Sequence, residues 1–115
     1  MKKGSRQNYL QYKEHARALA HEKIVHYNMH YNFKVGRVTV RNQTSRWGSC
    51  SKQGNLNFNY RIALLPTRLS DYIVVHELCH LGEFNHSEKF WALVARTMPD
   101  WKTLRKELRG IRHVV

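Results

Sequence analysis

The strongest signal in the sequence is a run of thirteen residues in its second half, Val74-Val75-His76-Glu77-Leu78-Cys79-His80-Leu81-Gly82-Glu83-Phe84-Asn85-His86. On a helix, residues four apart differ by about 40° in azimuth and one turn in height, so His76 and His80 share a face. Two neutral imidazoles placed in this way can bind one zinc ion. Glu77, turned by about 100°, can reach a water on that ion without being a ligand. This is the HExxH arrangement of two ligands and a general base.

A third ligand is expected, because a hydrolytic zinc site usually has three protein ligands and a water. His86 follows His80 by six positions, beyond Gly82, where a chain that has left the helix can turn back. Glu83 is the alternative, but it shares the face of His80 only if the helix continues past Gly82. We therefore predict that His76, His80 and His86 bind one zinc ion per chain, with Glu83 as the competing ligand and Glu77 as the catalytic base.

Other histidines and both cysteines fit a metal site less well. His21 and His26 flank a glutamate at a spacing of five, which turns them about 140° apart on a helix. His26 and His30 have the right spacing but no carboxylate neighbour, and we predict that they lie on the surface. Cys79 faces away from the histidine pair and is expected in the core, and neither it nor Cys50 is expected to ligate the metal.

Length and composition limit the kind of protein. The chain has 115 residues, 42% of them hydrophobic, which suits one small domain over residues 1–115 and excludes wholesale disorder. Residues 1–7 are polar and expected to be flexible. Two cysteines exclude a disulfide framework and fit a reducing, cytoplasmic location. No apolar run approaches the roughly 18 residues of a membrane span, so no membrane partner is expected. The net charge of +12 suits contact with nucleic acid or another polyanion.

The hydrophobic pattern predicts an α+β domain. A stripe of apolar residues every three or four positions indicates a helix over about residues 8–31. Alternating segments at 33–35, 38–41 and 56–59, with a further strand at 45–50 that enters a turn, predict a small, mainly antiparallel sheet of three to four strands. Pro66 marks the start of the HExxH helix, which should run over 67–81 and stop at Gly82. Two C-terminal helices should follow, over 87–97 and from about 100 to 110.

The mechanism expected of such a site is peptide hydrolysis. Glu77 takes a proton from water activated by the metal and passes it to the leaving amine. The developing oxyanion needs a further hydrogen-bond donor. Four residues have a side chain of a type that could donate this hydrogen bond: Tyr60, Arg61, Tyr72 and His113.

Several blocks of the sequence resemble YgjP-like zinc metallopeptidases, over most of the chain from about Tyr9 to Leu104. Before the HExxH helix they are Arg46-Trp47-Gly48-Ser49-Cys50-Ser51, Gly54-Asn55-Leu56, Asn59-Tyr60-Arg61 and Pro66. The helix itself, Asp71-Tyr72-Ile73-Val74-Val75-His76-Glu77-Leu78-Cys79-His80-Leu81, continues the resemblance, followed by Asn85-His86-Ser87 and Phe90-Trp91. The same core is similar to that of the SprT-like and WLM proteases of the zincin class.

The resemblance implies a zincin-like fold, with a twisted sheet over the active-site helix and a cleft beneath an edge strand that aligns an extended peptide. It also implies that His76, His80 and His86 bind zinc and that Glu77 is the base. The leading hypothesis is a zinc-dependent endopeptidase acting on a polypeptide. One alternative is a DNA-associated, SprT-like protease, for which the positive charge and the aromatics Trp47 and Trp101 would contact nucleic acid. The other is a non-catalytic, zinc-stabilised binding module.

Overall fold

A computed structural model describes residues 3–112 of the protein. Within these residues, helix α1 spans Arg6–Asn28, and strands β1, β2 and β3 span Val38–Arg41, Gly48–Cys50 and Leu56–Asn59. A 3₁₀ helix, Tyr60–Leu64, leads into α2 (Thr67–Cys79), α3 (Glu88–Thr97) and α4 (Trp101–Arg112). The predicted α+β class and the order of its elements are confirmed. His113 lies outside the described residues.

Helix α1 packs along the domain through small side chains and one ion pair. It begins two residues before the predicted start, because the Ser5 hydroxyl accepts a hydrogen bond from the backbone N–H of Asn8 at 3.1 Å and caps the first turn. Ala16 and Ala20 are fully buried, which allows close approach to the core. Further along, Lys23 is buried and forms an ion pair with Asp71 of α2. This lysine, which the hydrophobic pattern places outside the apolar stripe, ties the two helices together.

The sheet is mixed, with strand order β1-β3-β2. Strand β3 pairs with β2 in antiparallel fashion and with β1 in parallel fashion, Val38 facing Leu56. The chain reverses direction at residues 42–47 and again at 51–55, so β3 returns parallel to β1. The expected number of strands is found, but only one of the two pairings is antiparallel. Strand β2 lies at an edge of the sheet.

The alternating segment at 33–35 does not form the predicted strand. Instead, the side chain of Asn28 forms two hydrogen bonds with the backbone of Phe33. Asn28 Oδ1 accepts from the Phe33 N–H and Asn28 Nδ2 donates to the Phe33 carbonyl, both at 2.9 Å. The ring of Phe33 stacks on Tyr31 with centroids 5.3 Å apart. The backbone N–H and C=O of Phe33 are thus already paired with the end of α1 and are not free to join the sheet.

Helix α2 begins after Pro66, as predicted, but ends at Cys79, two residues earlier than expected. Its last turn tightens, with the N–H of Leu81 bonded to the Leu78 carbonyl at 3.0 Å and that of Gly82 to the Cys79 carbonyl at 3.0 Å. Gly82 does not stop the helix by a left-handed conformation, since Gly54 is the described glycine with positive φ. A Cβ at Gly82 would lie 2.8 Å from the ring of Phe33, so the glycine is needed for close packing.

The core lies between the sheet and α2. It contains fully buried side chains from both elements, with α3 closing one end; these are Leu56, Phe58, Leu69, Val74, Val75, Leu78, Phe90 and Val94. Trp47 joins this cluster at 5% exposure, which corrects the expectation of an exposed ring available for base stacking. No helix in the range 3–112 is both long enough and apolar enough to cross a bilayer.

Candidate metal centre

Three imidazoles meet at the end of α2. Among the described residues, the possible ligand atoms of His76, His80 and His86 all lie within 4.8 Å of one another. His80 Nε2 and His86 Nε2 are 3.0 Å apart. Two nitrogens bound to one tetrahedral zinc at about 2.0–2.1 Å would be about 3.4 Å apart, so this pair would need to separate by only a few tenths of an ångström. The donor set fits zinc.

The early end of α2 is what brings the third imidazole back. His76 and His80 stand one turn apart, and the chain leaves the helix directly after them. The Ser87 hydroxyl then caps α3 by accepting from the N–H of Phe90 at 3.4 Å. His86 therefore occupies the position just before a new helix, where the chain reverses toward α2.

The alternative ligand Glu83 takes a different part in this geometry. Its carboxylate is not in the group of three, but its backbone carbonyl lies 3.0 Å from His80 Nδ1. A carbonyl only accepts, so Nδ1 of His80 carries the hydrogen and the lone pair lies on Nε2. Such a bond fixes both the tautomer and the ring orientation of a metal-binding histidine. Glu83 thus orients His80 through its main chain.

Two aromatic residues of α3 support the imidazoles. The ring of Phe90 stacks on His80 with centroids 4.3 Å apart, and Trp91 stacks on His86 at 5.8 Å. Phe90 is fully buried and Trp91 half-buried, but each also forms a wall of the histidine cluster. In the sequence, both residues follow His86 closely and lie in the first turns of the helix that Ser87 caps.

Burial lowers the pKa of two of the three histidines. For His80 and for His86 desolvation is the largest cause, and the charge of His76 acts in the same direction. The negative charge of Glu77 raises the pKa of both histidines, but by less than desolvation lowers it. A lowered pKa favours neutral imidazole at pH 7, which is the form that binds a metal.

Glu77 lies between the cluster and the edge strand. It is 6% exposed, and its Oε2 atom is 2.9 Å from His76 Nδ1. A Cβ added at Gly48 of β2 would meet Glu77 Cγ at 3.0 Å, so the carboxylate packs directly on the strand backbone. The cleft above it is lined by all three residues of β2 together with the three histidines. An extended ligand paired with β2 would pass over both the cluster and Glu77.

Of the four candidate oxyanion donors, Tyr72 lies beside this cleft. It shares with His76 and Glu77 the wall of a neighbouring recess of about 270 Å³. Burial raises the pKa of Tyr72 to about 12, so its hydroxyl remains a donor at neutral pH. Tyr60 packs instead on Tyr9, with ring centroids 5.7 Å apart, and Arg61 donates to the Gln43 carbonyl at 3.0 Å. The fourth candidate, His113, is outside the described residues.

The other histidines within residues 3–112 and both cysteines lie outside the cluster. His15, His21, His26 and His30 are exposed on or just after α1, as predicted for His26 and His30. Cys79 is fully buried and burial raises the pKa of its thiol to about 11. Cys50 lines the cleft, and its thiol pKa is raised to about 11 by burial and, secondarily, by the charge of Glu77.

A small mixed sheet over a helix that ends in HExxH, with a third histidine in the next loop, defines a zincin-like metallopeptidase. The chain belongs to the YgjP-like metallopeptidases, since the model of the YgjP-like metallopeptidase domain matches residues 2–110. The resemblance seen in the sequence is thereby confirmed, and the protein is a hydrolase of the metalloprotease class. A search of curated protein sequences finds no significant match.

Solved structures show the same fold. The metallopeptidase zymogen abylysin of Pyrococcus abyssi is similar with a TM-score of 0.72 and 22% identity, over 79% of this chain and 92% of that one. The zymogen jannalysin of Methanocaldococcus jannaschii gives 0.63 and 20%, over 87% and 97%. A mutant of Wss1 from Saccharomyces cerevisiae gives 0.63 and 20%, over 85% of each chain. At these low identities, the TM-scores show likeness of fold alone.

Proposed function

We propose that the chain is a zinc-dependent endopeptidase organised as one domain, in which His76, His80 and His86 bind the ion and Glu77 is the general base. The observation that carries the proposal is the convergence of three imidazoles, within 4.8 Å of one another, beside a buried carboxylate and an open edge strand. Family membership supports the metallopeptidase chemistry, and the geometry supports this choice of residues.

In the proposed hydrolysis, the metal, Glu77, strand β2 and Tyr72 each have a separate role. A bound zinc ion supplies Lewis acidity, which polarises a carbonyl oxygen and lowers the pKa of water to about 7. Glu77 accepts a proton from the attacking water and delivers it to the leaving amine. Strand β2 holds the substrate backbone in an extended conformation across the cleft. Of the candidate oxyanion donors, Tyr72 is the described one that lies beside the cleft, and we assign its hydroxyl to the developing oxyanion.

Replacing the base tests the catalytic assignment. We expect Glu77→Gln to lower the rate of casein cleavage by about 10²–10⁴-fold, because proton transfer is lost while shape and folding are kept. A matched control is Glu22→Gln, which alters a glutamate flanked by histidines on the exposed face of α1. Equal activity of wild type and Glu77→Gln would contradict the role of Glu77. A zinc-loaded wild type that cleaves nothing would favour the binding-module hypothesis.

Metal analysis tests the ligand set. Purified wild type should contain about one zinc per chain, and His86→Ala should lose most of it because two ligands hold zinc weakly. His26→Ala is the control, since His26 is exposed and outside the cluster. A folded wild type that binds no metal at any zinc concentration would contradict the proposal.

DNA-associated activity stays a prediction. The net charge of +12 favours contact with nucleic acid, whereas the burial of Trp47 removes one of the two proposed stacking rings, and Trp101 stacks on Trp91 at 4.0 Å. Casein cleavage with and without single-stranded DNA tests it. Stimulation that weakens with added salt would support a DNA-associated protease, and unchanged rates would argue against it.

A further inference from the structure

The recess next to the histidine cluster opens directly from the cleft. Four residues line both spaces, namely Arg46, Gly48, His76 and Glu77. The recess lies between β2, α2 and α4, and its volume is about 270 Å³. Sites for drug-sized ligands have about 300–1,000 Å³, so this space suits a single amino-acid side chain. A peptide lying along β2 could place one side chain in it while its backbone crosses the cluster.

The wall of this recess is strongly cationic. Arg46, Arg105 and Arg109 all line it, and none of the three forms an ion pair with a carboxylate in the described part of the chain. Glu77 is the single carboxylate in the lining. The positive charges of Arg105 and Arg109 also reach Tyr72, where each opposes the increase in phenol pKa that burial causes. The three guanidinium groups therefore leave a net positive site beside the catalytic carboxylate.

The rest of the lining suits a short apolar stem. Trp47, Ile73 and Leu108 are buried side chains of the same wall. Apolar walls and hydrogen-bond donors match a glutamate side chain, with two methylene groups and a terminal carboxylate. Guanidinium groups bind carboxylates in paired, charge-assisted hydrogen bonds.

We infer that this arginine-lined recess selects an acidic side chain, glutamate above all, in the substrate residue that flanks the scissile bond. The inference rests on the proposed peptidase function and adds a substrate class to it. A lysine or arginine side chain would meet three like charges and be excluded, which makes the recess discriminate by repulsion as well as attraction. Arg105 also lies over Trp91 at 5.2 Å, so Arg109 is the better residue to alter without disturbing the support of His86.

Peptide cleavage tests the inference. Cleavage sites in casein are mapped by mass spectrometry, and peptides amidated at the C-terminus are then made with Glu, Gln or Lys on either side of one mapped bond. For wild type we expect kcat/KM to be about tenfold higher for Glu than for Gln at one flanking position, and lowest for Lys. Amidation removes the terminal carboxylate, so a preference that persists belongs to the side chain.

Variants assign the preference to the recess. Arg109→Gln should bring the Glu-to-Gln ratio close to one, and Arg109→Glu should favour the Lys peptide. Arg37→Gln removes the same charge from an exposed residue outside the recess and the cleft, and should leave the ratio unchanged. Equal cleavage of all three peptides by wild type would overturn the inference while leaving the peptidase intact. Cleavage of none would overturn both.

A nucleic-acid role for the recess is a separate outcome. Binding of a single-stranded oligonucleotide to Glu77→Gln protein is measured with and without the additional Arg109→Gln change. If the second change abolishes binding and wild type shows no preference among the peptides, the recess is a phosphate site and the inference is wrong. If oligonucleotide binding is unaffected and the peptide preference disappears with Arg109→Gln, the inference is supported.

Discussion

At the scale of single residues, Gly48 sets the position of the proposed base. A Cβ there would lie 3.0 Å from Glu77 Cγ and 3.1 Å from the Asn57 carbonyl oxygen across the sheet. The carbonyl is held by the strand pairing, so the methyl group of Gly48→Ala would displace the Glu77 side chain. We expect kcat to fall by up to about tenfold with zinc content unchanged, because the carboxylate must shift by a few tenths of an ångström and a misplacement of about 1 Å costs about 100-fold.

Gly110→Ala is the matched control for this substitution. An added Cβ at Gly110 meets no atom within 4 Å, and the residue lies inside α4. Alanine should therefore stabilise the helix by about 0.5–1 kcal/mol without changing kcat. Both variants are compared by casein cleavage and by thermal unfolding. Full activity of Gly48→Ala would show that the carboxylate has more room than its contacts with β2 indicate.

Residue spacing predicts part of the candidate site and misses part of it. The closeness of His76 and His80 follows from helical geometry, because a separation of four residues fixes their relation. His86 can approach this pair because the helix ends between His80 and His86, which lets the chain turn back. The arginines Arg105 and Arg109 could not be found in this way, since their position depends on how α4 packs against α2, over which local spacing has no control.

At the scale of elements, α1 and α2 are joined by a largely buried ion pair. The side chains of Lys23 and Asp71 are 10% and 19% exposed, and the Tyr27 hydroxyl donates to the same carboxylate at 2.8 Å. Asp71→Ala would leave the ammonium group of Lys23 buried without its partner. We expect a loss of about 3 kcal/mol in the free energy of unfolding, measured by urea denaturation.

An exposed ion pair provides the comparison. Arg68 and Glu107 join α2 to α4 at 2.6 Å, with side chains 59% and 36% exposed. Glu107→Ala should cost less than about 1 kcal/mol, because water competes with such a pair. Lys23→Met should also cost less than Asp71→Ala, since Asp71 keeps its bond to Tyr27. Equal losses in all three variants would contradict a special role for the buried pair.

Element boundaries show where sequence patterns compete with tertiary contacts. The segment at 33–35 alternates as a strand does, but Asn28 satisfies the backbone of Phe33 before a strand can pair with it. Gly82 has the position of a helix stop, yet it serves the packing of Phe33. In both cases a side-chain contact decides the local structure, and that contact depends on the tertiary fold, which hydrophobic periodicity does not predict.

At the scale of the whole molecule, the proposed metal would link the end of α2 to the loop before α3. The three imidazoles come from α2, from the residue that caps its end and from the loop before α3, and Phe90 of α3 packs against them. The net charge of +12 works against the compact state through self-repulsion. A ligand that binds only the folded chain stabilises it by mass action, so zinc should stabilise the domain beyond its effect on activity.

Removal of zinc by a chelator should therefore lower the melting temperature. At a free zinc concentration of about 100 times Kd the stabilisation is about 2.7 kcal/mol, which corresponds to roughly 10 °C for a domain of this size. His86→Ala should abolish most of the zinc-dependent shift, because the loop loses its link to α2, whereas His26→Ala should keep it. A melting temperature that ignores zinc in wild type, measured by calorimetry, would mean that these three histidines do not bind the ion together.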